Sequence, residues 1–248
     1  MMSKVDEYRS LLRTLPDWEP YLRSQSGLPG PRSNLELMQA VADEADPAII
    51  ERLLAYGPDQ APENTPDVFL ACCGTVGLGK LLAEGNTGVL PRLRAFANDP
   101  RWRVRESVAM ALQRLGDADI HHLMLIVHDW ASGTLLEQRA AIAGACEPRL
   151  LKDAAAARKT LDLLDCVTET IQKNPQRKSE EFRVLKKALA YCWSVAVAAL
   201  PDEGKARLAA LAKSNNPDIR SILRDNLKKN RLIRLDPEWV NQISREVQ

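Results

Sequence analysis

Two groups of side chains in this 248-residue sequence have the types and spacing to do recognition chemistry. Arg220, Arg224, Lys228 and Arg231 fall at i, i+4, i+8 and i+11, so a continuous helix would present them as one cationic stripe. Such a stripe can neutralise phosphates, meet an acidic protein surface, or simply stand in water. Arg101-Trp102-Arg103 sets an indole between two guanidiniums, a combination that stacks on nucleobases; the competing expectation is a tryptophan packed between helices. These seven residues are the candidate contacts for a protein or nucleic-acid partner, DNA included.

The charge distribution sharpens this. Residues 1–100 hold nine Lys/Arg against fourteen Asp/Glu, a net of −5, whereas residues 205–234 hold nine Lys/Arg against two Asp, a net of +7. The whole chain is nearly neutral at +1, which excludes a general polycation and leaves a local basic region near the C-terminal end.

Other constellations are incomplete. Gly74-Thr75-Val76-Gly77-Leu78-Gly79-Lys80-Leu81 nearly fits the phosphate-binding loop G-x-x-x-x-G-K-[ST]. However, Leu81 stands where a hydroxyl must hold magnesium, and Phe69 to Cys73 before it reads as helix rather than strand. The bland reading is a small-residue helix that admits a close neighbour. His121, His122 and His128 are the only histidines, set among Leu123, Leu125, Ile126 and Val127 with no H-E-x-x-H spacing. No G-x-S-x-G is present, and none of the five cysteines (Cys72, Cys73, Cys146, Cys166, Cys192) sits in a C-x-x-C pair. No catalytic residue, cofactor or metal is assigned.

The elements that would position these side chains are helical. Val104, Val108, Ala111, Leu112 and Leu115 recur on one helical face, as do Ile219, Ile222, Leu223 and Leu227, and less cleanly Leu161, Leu164, Val167 and Ile171. No alternating run of β-formers is found. Asp46-Pro47, Asp99-Pro100, Glu147-Pro148 and Asn216-Pro217 each combine a capping side chain with a proline suited to the first helical turn. Gly57-Pro58, Gly85-Asn86, Gly116-Asp117, Ser132-Gly133, Asn174-Pro175 and Pro201-Asp202 mark short breaks. The nearly apolar run Ala188 to Leu200 is too short to span a bilayer and reads as a buried helix. The opening Met1-Met2-Ser3-Lys4-Val5-Asp6-Glu7 has no apolar signal core, and the odd cysteine count fits reduced thiols; the expectation is a cytoplasmic protein with no membrane contact.

Three segments look like copies of one unit: Asp99 to Ala109, Leu136 to Ala143, and Asn216 to Leu223. In the first, Asp99-Pro100-x-x-x-Val104-Arg105 resembles the second helix of a HEAT repeat, where Asp caps, Val packs inward and Arg reaches towards the neighbouring repeat. Helix pairs of this kind need stacked neighbours to bury their apolar faces. The expected fold is an all-α, right-handed α-solenoid of about five to six irregular HEAT-like helix pairs, in a single domain over residues 1–248. The polar stretch Asn174 to Ser179 is then a loop between repeats.

The chain as a whole resembles bacterial HEAT-repeat proteins. Asp99 to Leu115, Ile219 to Leu227 and Asp236-Pro237-Glu238-Trp239-Val240 are similar to the AlkD-like DNA alkylation repair proteins. That resemblance implies a Trp-rich concave groove and a catalytic Asp in a Trp-Asp-x-Val-Asp-like motif. The closest string here, Trp193-Ser194-Val195-Ala196, lacks both carboxylates. The expectation is therefore a non-catalytic scaffold holding a protein or nucleic acid, with a DNA glycosylase or an inactive relative as the alternative.

Overall fold

The computed structural model describes residues 2–247. Among these residues there are fifteen α-helices and no β-strand, the all-helical class that the sequence periodicity predicts. The chain divides into two compact units, residues 1–118 and 119–248.

The first unit comprises α1 (Lys4–Leu12), α2 (Glu19–Gln25), α3 (Leu35–Glu44), α4 (Pro47–Leu54), α5 (Pro66–Ala83), α6 (Leu90–Phe96) and α7 (Trp102–Ala118). It is organised around α5, against which α2, α3, α4, α6 and α7 all pack, while α1 lies on α3. The apolar stripe Val104, Val108, Ala111, Leu112 and Leu115 is buried, as its spacing predicts. By length and hydropathy α5 could cross a membrane, and it is a longer apolar helix than the Ala188–Leu200 run; in this unit it is a core helix, buried over most of its surface.

The near-P-loop is the middle of α5, not a loop. A Cβ added at Gly74 would meet the Leu54 side chain at 2.9 Å, and one at Gly77 would meet Ile50 Cγ1 at 2.8 Å. At Gly79 it would lie 2.6 Å from the Ala111 Cα of α7. These glycines let α4 and α7 approach, the bland reading of the motif. Lys80 donates to the Asp43 and Ala45 carbonyls at 3.2 and 2.9 Å, capping the end of α3 where the helix dipole is negative. Gly85, at φ +92°, ends α5: the Asn86 amide donates to the Leu81 carbonyl and the Gly85 amide to that of Leu82.

The second unit comprises α8 (Ile120–Trp130), α9 (Leu135–Ala145), α10 (Ala154–Lys173), α11 (Glu180–Ala199), α12 (Pro201–Ala212), α13 (Pro217–Leu227), α14 (Asn230–Leu235) and α15 (Pro237–Glu246). Helix α11 is flanked by α9 and α13 and also packs on α10 and α12, while α8 packs on α9 and α10. Helix α14 lies on α11 and α13, and α15 on α12 and α13. Trp193 and Phe182 of α11 are fully buried, and the Trp193 Nε1 donates to Thr168 of α10 at 3.0 Å. Asn174 to Ser179 is the connection between α10 and α11, inside this unit.

The break expected at Gly116-Asp117 does not occur, since both residues lie inside α7. Two of the four predicted Pro-containing caps work as expected. Asp46 accepts the Ile49 amide at 2.7 Å, and Asn216 accepts those of Asp218 and Ile219. Two Pro-containing signals act differently. After Asp99-Pro100 the helix begins only at Trp102, because Asp99 accepts the Arg101 amide and closes a turn first. Glu147-Pro148 opens no α-helix: buried Leu150 and Leu151 turn the chain through a short 3-10 segment, and Asp153 caps α10 instead.

Candidate functional site

The four-residue cationic stripe does not survive folding as a single helix face. Helix α13 stops at Leu227 and α14 starts at Asn230, so Lys228 is at the break and Arg231 is on another helix. Arg220 donates to the Glu246 carbonyl at 2.9 Å and Arg224 to that of Val247 at 3.1 Å. Both guanidiniums thus sit at the carbonyl end of α15, where a cation is favoured. Lys228 is exposed and pairs with Asp225 at 3.3 Å.

Arg231 reaches a different place. Its Nη2 donates to the Tyr191 hydroxyl at 2.6 Å, and its Cζ lies 4.8 Å from the centre of the Tyr191 ring. Lys229 Nζ lies 5.6 Å from the same centre. Despite these two cations Tyr191 remains 45% exposed. Arg183 and Lys187 precede Tyr191 by two turns and one turn of α11, on the same helical face, and both are exposed. Among the described residues, none of Lys187, Lys229 and Arg231 has a carboxylate partner. An exposed aromatic ringed by uncompensated cations attracts anions and offers a stacking face at the same point.

Sequence reasoning missed Tyr191 because it lies within the apolar run Ala188–Leu200. Most of that run is buried, but Tyr191 points out between two buried neighbours, Ala190 and Cys192. The Arg183-Lys187-Tyr191 spacing was legible; the arrival of Lys229 and Arg231 required α14 to fold back on α11.

In the first unit the Arg101-Trp102-Arg103 cluster is split by burial. Arg101 is 4% exposed and grips both oxygens of Asp99 at 2.9 and 2.8 Å, with a further bond to the Tyr56 carbonyl at 2.8 Å. Arg103, 6% exposed, donates to Glu63 at 2.9 Å, to the Gly30 carbonyl at 2.6 Å and to Asn64 at 3.2 Å. The two arginines therefore tie the start of α7 to the α4–α5 connection and are not open to a base. Arg105 donates to the Asp99 and Pro100 carbonyls. Trp102 alone stays outside, at 45% exposure, with the Arg103 guanidinium 4.2 Å from its ring centre. Trp102 and Arg103 line a half-open cavity of about 320 Å³ that Met38, Leu35 and Met110 also line.

Four of the five cysteines are buried, and Cys166 is exposed. Burial pushes the Cys72 thiol up to about 12 and the Cys73 and Cys146 thiols well above the ordinary thiol range. His128 lies 3.0 Å from the Lys159 carbonyl. The described residues contain no cluster of His, Cys, Asp or Glu suited to hold a metal. Trp193, the anchor of the Trp-Ser-Val-Ala string, is in the core with no carboxylate hydrogen-bonded to it. Comparison with models of known families, with curated proteins and with solved structures yields no match.

Proposed function

We propose that this protein is a non-catalytic binding scaffold built of HEAT-like helix pairs, and that its second unit holds single-stranded nucleic acid on the surface around Tyr191. The layered contacts of that unit, with α11 flanked by α9 and α13 and backed by α10 and α12, support the helix-pair reading. The observation that carries the functional reading is the exposed Tyr191 ring with Lys229 and Arg231 beside it and, among the described residues, no carboxylate paired with them. A base stacks on the ring while Lys187, Lys229 and Arg231 meet the flanking phosphates. The reading is favoured over an acidic protein surface because the cations centre on an aromatic ring, which phosphates alone do not need. It asks nothing of Arg101, Arg103, Arg220 or Arg224, which are engaged within the chain.

Fluorescence anisotropy with a labelled oligo-dT of roughly 15 nucleotides tests it. Tyr191→Ala is expected to weaken binding about tenfold or more, since one aromatic stack contributes about 1–3 kcal/mol, while Tyr191→Phe keeps most of the affinity. Equal affinity of the Tyr191→Ala and parent proteins contradicts the assignment.

A further inference from the structure

The cavity beside Trp102 belongs to the first unit. Its apolar walls are Leu35 and Met38 of α3, and Trp102 and Met110 of α7. At about 320 Å³ it falls at the lower end of the roughly 300–1,000 Å³ range of small-ligand sites. The polar groups that line it differ in how they are engaged. Arg103 is answered by Glu63, and Ser107 donates to the Arg103 carbonyl at 2.9 Å. Glu106 already has an interaction within the chain. Among the described residues, Arg32 and Ser33, on the segment before α3, have no side-chain hydrogen bond or ion pair. Arg32 is thus, among the described residues, a lining guanidinium with no partner of its own, with one hydroxyl beside it in sequence, while the Glu106 carboxylate lines the same cavity. Arg103 Nε is buried and has no hydrogen-bond partner among the described residues.

We infer that this cavity binds a small amphipathic carboxylate. The apolar body lies against Leu35, Met38, Met110 and Trp102, and the carboxylate is held by Arg32, whose planar fork matches two carboxylate oxygens, with Ser33 as an added donor. An uncharged molecule of the same shape would leave Arg32 unused. A nucleotide fits less well, because the apolar walls offer nothing to the polar edge of a base.

Isothermal titration calorimetry with octanoate, 1-octanol and adenosine monophosphate tests the inference on the full chain. Octanoate is expected to bind saturably at one site, at least tenfold more tightly than 1-octanol. Arg32→Ala, at an exposed position, is expected to bring octanoate down to the level of 1-octanol, and Met110→Trp to remove both. The inference is overturned if octanoate does not saturate, if 1-octanol binds equally well, if Arg32→Ala leaves octanoate affinity unchanged, or if adenosine monophosphate competes with octanoate. Thermal melts of each variant identify any loss caused by misfolding, and the Arg32→Ala result stands even if Met110→Trp does not fold.

Discussion

Asn226 reaches from α13 into the side of α11, where its Oδ1 accepts the Ser194 amide at 2.8 Å and its Nδ2 donates to the Leu189 carbonyl at 3.0 Å. The same Nδ2 donates to the Ile222 carbonyl of its own helix at 2.8 Å. The side chain is fully buried, so one amide ties the two helices together by polar contacts, in addition to the part-buried Lys186–Asp218 pair between the same helices. Removing it leaves an unfilled space and a buried amide short of an acceptor. Asn226→Ala is expected to destabilise the protein by about 2 kcal/mol or more. Urea unfolding measures the loss; a change below about 0.5 kcal/mol would show that the tie is dispensable.

The glycines of α5 predict an ordering. At Gly79 an added methyl meets the backbone of α7, which cannot rotate away. At Gly77 it meets the end of Ile50, which can. Gly79→Ala is expected to cost about 1–3 kcal/mol through overpacking, despite the gain of roughly 1 kcal/mol in helix propensity. Gly77→Ala is expected to cost less. Thermal melts of the two variants check the order, and a more stable Gly79→Ala protein would refute the close approach of α5 and α7.

Arg101 and Asp99 form a buried ion pair, at 4% and 7% exposure. Truncating one partner strands the other charge. Arg101→Ala is expected to cost about 3–5 kcal/mol, and the double variant Arg101→Ala with Asp99→Ala less than the sum of the single effects. Oligonucleotide affinity per folded molecule is expected to stay unchanged, since neither side chain is exposed to a partner. A loss of affinity in folded Arg101→Ala protein would return that arginine to the list of contacts.

Glu44 links α3 to α1. Hydrogen bonds from Arg13 and, opposed by burial, from Arg9 hold its carboxyl at about 2, below its ordinary value of 4.5. Because the folded value is the lower one, the unfolded chain takes up the proton first as pH falls. The contribution is complete above about pH 4.5 and is lost towards pH 2. The arginines are substantially exposed, so screening keeps the contribution to about 1 kcal/mol. Glu44→Gln is expected to be less stable than the parent at neutral pH and to converge with it towards pH 2; a gap independent of pH would contradict the pairing.

What was legible in the sequence was the helical period. Val104, Val108, Ala111, Leu112 and Leu115, and likewise Ile219, Ile222, Leu223 and Leu227, go where a 3.6-residue repeat sends them, because burial of one face follows from spacing alone. The candidate site was less legible. A run of arginines reads the same whether it faces water, a helix end or a buried carboxylate. Asp99 is only two residues from Arg101, but the partners that complete the burial of Arg101 and Arg103, the Tyr56 carbonyl and Glu63, lie 45 and 40 residues away along the chain. Arg220 and Arg224 meet the end of α15, over twenty residues along the chain. The break at Lys228–Lys229, which no Gly or Pro announces, is what sends Arg231 to Tyr191.

The salt dependence of oligonucleotide binding tests the central assignment most directly. Each phosphate contact on a single strand contributes about 0.7 to the slope of log affinity against log salt concentration. Replacing Lys187, Lys229 and Arg231 together by alanine is therefore expected to flatten that slope by about 2, while Arg220→Ala with Arg224→Ala leaves it unchanged. A parent protein that does not bind single strands at low salt, or a slope that the triple replacement does not alter, would contradict the account.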